Sequence, residues 1–234
     1  MNASSPFSNI SPVVKNLLII NIIFFIATLM FAEQMVQWFA VFYFDSPMFK
    51  VWQIITYMFM HSPVSYAHIL FNMFALYTFG STLEYVMGSK RFLNFYLITG
   101  LGALVLQMLV QAIELYTATG SVMPLTHNIS VTDQHQIDLV REIYMGPMLG
   151  ASGAIFGLLI AFGMIFPNAE LFILFIPVPV KAKYIIPIYI VIELFLGVAQ
   201  FSGDSVAHFA HLGGALFGFI LIKIWGVRRP GGYL

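Results

Sequence analysis

The chain has 234 residues, 60% of them hydrophobic and 9% charged, with zero net charge and a mean hydropathy of +0.89. An average soluble domain is about 25% charged, so composition excludes a soluble globular protein, and the balanced charge offers no bulk attraction to nucleic acid. The lack of cysteine excludes a disulfide framework, an iron–sulfur cluster and a thiol nucleophile.

Six apolar runs are long enough for helices rather than barrel strands, and they predict an all-α membrane protein with six transmembrane helices. In chain order they are Val13–Ala32, Tyr66–Met87, Phe92–Leu115, Met148–Phe166, Tyr184–Phe201 and Val206–Trp225. The first reads as an uncleaved span. Its n-region carries only Lys15, and no small-x-small site stands near Ala32-Glu33-Gln34. Between the fourth and fifth runs, Pro167, Pro177, Pro179 and Pro187 break the pattern, and Lys181 with Lys183 marks a turn exposed to water. No long polar stretch separates a second domain. Residues 1–12 and 227–234 read as short cytoplasmic ends around one transmembrane domain, 13–226.

Lysine and arginine set the orientation. With both termini in the cytoplasm, inner segments hold Lys15, Lys90, Arg91, Lys181, Lys183, Lys223, Arg228 and Arg229, and outer loops hold only Lys50 and Arg141. The first outer loop, Glu33–Ser65, mixes Trp38, Phe39, Phe42, Tyr43, Phe44, Phe49 and Trp52, which suits an element lying in the membrane interface. The second, Tyr116–Pro147, is polar and predicts a short surface helix around Asp133–Tyr144. The third, Ser202–Ser205, is short.

Polar residues in three spans fall at similar depth. His68 and Asn72 are four apart near the outer end of span two, so they share a helix face with a rise of ~6 Å between them. Ser152 lies in the first turns of span four. His211 is about five residues into span six, or ~7.5 Å below its start. Polar groups are costly in hydrocarbon and face a bundle interior or a wet cavity. A serine needs a base to become a nucleophile, and histidine titrates in the right range. Ser152 is therefore the candidate nucleophile and His211 the candidate base. Asn72, His68 and the Ser152 backbone N–H are candidate donors to an oxyanion. Phe156, one turn after Ser152, is placed to stack on His211. Gly153 with Gly157, and Gly214 with Gly218, have the small-xxx-small spacing that lets two helices approach closely. No acid lies at this depth in spans two, four or six, since Glu84 is near the inner end and Asp204 is in a loop. A Ser–His dyad is expected rather than a triad.

Each of these residues has a plainer reading. His68 and Asn72 alone would serve as interhelical hydrogen-bond partners. His61 reads as a loop or interface residue, and His127 and His135 as solvated. His208 and His211 suggest a metal, but no third ligand is evident and no H-E-x-x-H occurs, so neither metal nor cofactor is expected. Glu193 is an ionisable group inside span five and would suit a proton path in an ion-coupled carrier.

The residues resemble the rhomboid intramembrane serine proteases over roughly Asn16 to Trp225. The G-x-S-G element is Gly150-Ala151-Ser152-Gly153, the A-H-x-x-G motif is Ala210-His211-Leu212-Gly213-Gly214, and the span-two motif uses His61, His68 and Asn72. The resemblance implies a six-helix bundle with a Ser152/His211 dyad reached by water from the outer face. It further implies His68 and Asn72 in the oxyanion hole, span five as the substrate gate, and a first outer loop partly in the membrane. Where many members carry Trp-Arg, this chain has Trp52-Gln53, so no arginine role transfers; position 156 is Phe where some relatives have Tyr. The function implied is cleavage of transmembrane segments of membrane-protein substrates within the lipid bilayer of a cell inner membrane, at a site opening to the extracytoplasmic side. The competing expectation is a catalytically silent rhomboid-like protein that binds membrane clients.

Overall fold

The computed structural model describes residues 10–172, 178–199 and 207–228. The expected loop Ser202–Ser205, Pro177 and the tail from Arg229 lie outside them. The helices are α1 (Pro12–Met30), α2 (Ala32–Phe39), α3 (Gln53–Thr56), α4 (Tyr66–Ala75), α5 (Ser81–Met87), α6 (Ser89–Thr119), α7 (Gln134–Met145), α8 (Ser152–Ile165), α9 (Ala182–Ala199) and α10 (His208–Trp225). A 3₁₀ turn, Tyr57–Phe59, follows α3, and a π-helical turn, Leu76–Gly80, joins α4 to α5.

By length and composition α1, α6, α9 and α10 can each cross a membrane, and α8 is apolar but shorter. The second predicted run is occupied by α4 and α5 with the π turn between them. Each predicted run thus has a helical counterpart, with ends shifted by a few residues. Ile19, Ile22, Ile23 and Ile26 on α1, and Ile188, Val191, Phe195 and Val198 on α9, are exposed. Apolar exposure on this scale suits lipid rather than water.

The α1 start shows how a polar residue is accommodated. Pro12 fills the first helical position, where a missing N–H costs nothing. The next two N–H groups, of Val13 and Val14, donate to the Glu84 carboxylate of α5 at 3.0 and 2.9 Å, and Ser89 Oγ donates to it at 2.6 Å. A buried acid thereby caps a neighbouring helix and meets the positive end of its dipole.

Helix α10 packs against both α6 and α8, and glycine makes that possible. A Cβ at Gly214 would stand 1.8 Å from the Gly153 carbonyl oxygen, and one at Gly218 would stand 2.8 Å from Gly157 Cα. The small faces expected on spans four and six do meet. Glycines 153 and 157 also give room to α6, where added Cβ atoms would come within 2.4 Å of Ala103 and 2.6 Å of Thr99.

The first loop folds over α6. Trp38 and Trp52 stack with ring centroids 5.9 Å apart. Gln53 is fully buried: its Nε2 donates to the carbonyls of Gln37 and Met48, and its Oε1 accepts from Lys50 N–H. Gln53 is thus the internal tie of this loop. In the second loop, α7 forms where a surface helix is expected, capped by Asp133, which accepts from Gln136 N–H. Asp45 accepts from Tyr144 and Thr126 and joins the two loops. Burial first, then the Asp45 charge, raises the Tyr43 phenol to about 12, so it stays protonated and donates to the Val122 carbonyl at 2.9 Å. Between α8 and α9 the expected turn includes a two-stranded antiparallel hairpin, β1 (Glu170–Phe172) and β2 (Pro179–Lys181), with Glu170 opposite Lys181. Pro179 fits because it is the first residue of an edge strand.

Candidate active site

Ser152 is the first residue of α8, and the turn before it sets its position. Gly150 has φ +136°, a conformation that side chains rarely adopt, and its N–H donates to the Tyr57 carbonyl at 3.0 Å. A Cβ there would lie 3.2 Å from His68 Cε1 and 3.5 Å from Ser152 Oγ. Gly150 therefore lets the His68 ring and the serine hydroxyl border one small space. The N–H groups of the first turn of α8, from Ser152 onward, have no carbonyl one turn earlier in the helix to bond.

His211 is in the first turn of α10 and is 8% exposed. Its Nε2 lies 2.8 Å from Ser152 Oγ. The two residues are 59 positions apart, and the close contact of Gly214 with Gly153 brings them into hydrogen-bond reach. Phe156 stacks on the His211 ring, with centroids 4.3 Å apart and planes 9° from parallel. Tyr189 of α9 also packs against Phe156, with ring centroids 5.1 Å apart.

Asn72 is buried on α4, and its Nδ2 is 3.3 Å from His61 Nε2. His61 is fully buried, with its ring 5.3 Å from that of His68. His61 does stand in a loop, as expected, but not at an interface with solvent or lipid: the segment after the 3₁₀ turn is buried and turns the ring toward Asn72 of α4. His61, His68 and Asn72 form one polar cluster beside the turn that carries Ser152.

Counting along spans two, four and six finds no acid at this depth. One arrives from α9. Glu193 Oε2 is 2.8 Å from His211 Nδ1 and 2.7 Å from His208 Nδ1, and the residue is 4% exposed. A depth count extended to span five brings an acid to within about one turn of His211: Glu193 lies six positions before the end of α9, ~9 Å along its axis, and His211 lies three into α10, ~4.5 Å. The packing of α9 beside α10 closes the remainder.

Glu193 also supplies the third donor missing from the His208/His211 pair, with the three donor atoms within 4.8 Å of one another. Zinc bonds of ~2.0–2.2 Å at tetrahedral angles hold their donors ~3.3–3.6 Å apart. The observed 2.7 and 2.8 Å are N–H···O lengths instead.

The Rhomboid domain family matches residues 48–228. Among curated relatives, Rhomboid protein 1, mitochondrial, of Saccharomyces cerevisiae is 30% identical, over 65% of this chain and 36% of its own length. Presenilin-associated rhomboid-like protein A, mitochondrial, of Danio rerio is 31% identical, over 72% of this chain and 38% of its own. Rhomboid protease GluP of Bacillus subtilis is 28% identical, over 78% of this chain and 27% of its own. The chain thus spans well under half the length of these relatives. The family match takes in Ser152, His211, His68, Asn72 and Glu193 together, and on it the chain belongs to the rhomboid family.

Proposed function

We propose that this protein is an intramembrane serine endopeptidase that cleaves transmembrane segments of other membrane proteins. The observation that carries the reading is the 2.8 Å separation between Ser152 Oγ and His211 Nε2 inside an apolar bundle. Ser152 Oγ attacks the scissile carbonyl while His211 Nε2 takes its proton. His211 then returns that proton to the leaving amine as the C–N bond breaks, and water hydrolyses the acyl-enzyme by the same exchange. A substrate helix must unwind locally, because its own turns shield each peptide bond.

The oxyanion forms where the carbonyl oxygen faces the start of α8. We assign the first-turn N–H groups, His68 and the Asn72 amide as its donors, on the polar cluster that His61, His68 and Asn72 form beside the Ser152 turn. Asn72 has two amide hydrogens, so engaging His61 leaves one to donate. The Asn72→Ala variant should turn over about 10²-fold more slowly, and unchanged turnover would remove Asn72 from this role. We further propose six spans with both termini on the cytoplasmic face, which puts the starts of α4, α8 and α10 on the outer side of the membrane. The carrier reading of Glu193 loses its motive, since Glu193 is bonded to the two histidines of this same site.

The test is chemical. Full-length protein in detergent is treated with a fluorophosphonate and digested, and the adduct is located by mass spectrometry. An adduct on Ser152 is the expected result. A folded protein with no adduct there, and no cleavage of transmembrane test substrates, would favour a client-binding rhomboid-like protein instead.

A further inference from the structure

We propose that Glu193 is a positioning residue for His211, so that the site is a Ser–His–Glu arrangement assembled from α8, α10 and α9. This rests on the serine-protease reading above. Glu193 is the only acid on α9, a helix that leaves Ile188, Val191, Phe195 and Val198 exposed. A carboxylate in such a place is costly unless strong donors meet it. It has two, the Nδ1 atoms of His211 and His208, converging on one oxygen. Gly197, one turn further along α9, lets the helices approach, since a Cβ there would lie 3.1 Å from His208 Cβ.

The chemical consequence concerns the His211 tautomer. An ionised carboxylate only accepts hydrogen bonds. Nδ1 of His211 must then carry the proton, which leaves Nε2 with its lone pair toward Ser152 Oγ, the form that a general base needs. When His211 takes the serine proton, the imidazolium sits 2.8 Å from a negative charge. A charge-assisted bond favours that state over the neutral one. His208 fixes the carboxylate through the same oxygen. Among the described residues, the titratable groups facing Glu193 are His208 and His211 from α10 and Tyr189 from its own helix.

A position on α9 also ties the base to the helix that flanks the site. Both the Glu193 bond and the Tyr189–Phe156–His211 ring contacts cross from α9 to the catalytic ring. An outward movement of α9 would withdraw the acceptor and one side of the ring support together.

The experiment compares full-length wild type with Glu193→Gln in liposomes, using a fluorogenic transmembrane peptide. Gln keeps the size of the side chain and can still accept a bond, but it removes the charge. The expected result is a kcat lower by about 10- to 100-fold with KM within about twofold of wild type. A kcat within twofold of wild type, or a loss carried by KM alone, overturns the proposal, because a mere clamp between α9 and α10 would act through stability and substrate entry. A second measurement needs no variant fold: ¹⁵N-histidine spectra of wild type at neutral pH. His211 as the Nδ1–H tautomer supports the proposal, and His211 as the Nε2–H tautomer overturns it. If Ser152 proves unreactive, the protease reading fails by itself, and the tautomer still reports whether Glu193 orients His211.

Discussion

Replacing Ser152 with alanine is expected to lower turnover of a transmembrane substrate by about 10⁴-fold or more, with little change in thermal stability. Two features make the effect large. No cysteine exists in the chain to substitute as nucleophile. Water placed directly by His211 would have to do so, and it would lack the position that α8 gives the hydroxyl. What survives is the contribution of the oxyanion donors and substrate binding, which accounts for only a residual part of such catalysis. The stability effect is small because Ser152 is only partly buried, opens a helix and is replaced by the best helix former. The lost hydrogen bond to His211 is worth about 1 kcal/mol. Turnover of purified Ser152→Ala within tenfold of wild type, measured beside its melting temperature, would remove the serine from its role.

The parts of this site that sequence makes legible are those set by helical rise. Ser152, His211, His68 and Asn72 can be placed at similar depth because each span starts at a visible polar boundary and advances ~1.5 Å per residue. The same spacing argument foresees the contact between the Gly153/Gly157 and Gly214/Gly218 faces and the Phe156 stack, and both form. Less legible is what depends on inward-folding loops. His61 and Gln53 sit outside the apolar runs, where no periodicity reports burial, yet both are fully buried. Their partners, Asn72 in one case and backbone groups of the first loop in the other, are tertiary. The β1–β2 hairpin is hidden by its prolines, since a three-residue edge strand that begins with Pro179 carries no alternation long enough to read.

Glu193 shows a different limit. A lone acid in an apolar helix announces function of some kind, but its sequence neighbours are bulky aliphatics and do not name its partners. Only the packing of α9 beside α10 separates a proton path from an acceptor for histidine. The buried Glu84, read from the sequence at the inner end of its run, has a different outcome, because its carboxylate faces the first turn of α1. Two buried acids of one chain thus serve a cap and a histidine pair, and the donors that meet them make the difference.

A single methyl group on α10 is expected to separate the Ser152/His211 pair. In Gly214→Ala the new Cβ would fall 1.8 Å from the Gly153 carbonyl oxygen, a backbone atom that cannot rotate away. Reaching even 3.0 Å requires about 1.2 Å of movement between α8 and α10. Gly214 is three residues from His211, and Gly153 adjoins Ser152, so the displacement is delivered where the two side chains meet. Their 2.8 Å contact then opens beyond hydrogen-bond length. A misplacement of this size costs on the order of 10²-fold in rate, while overpacking of a tight helix contact costs about 1–3 kcal/mol. The variant should therefore be folded but slow, and fluorophosphonate labelling of Ser152 should fall with peptide turnover. The measurement that separates catalytic from global damage is the labelling rate at a temperature well below the variant's melting point. Wild-type labelling there would mean that the α8–α10 contact does not set the distance between serine and histidine.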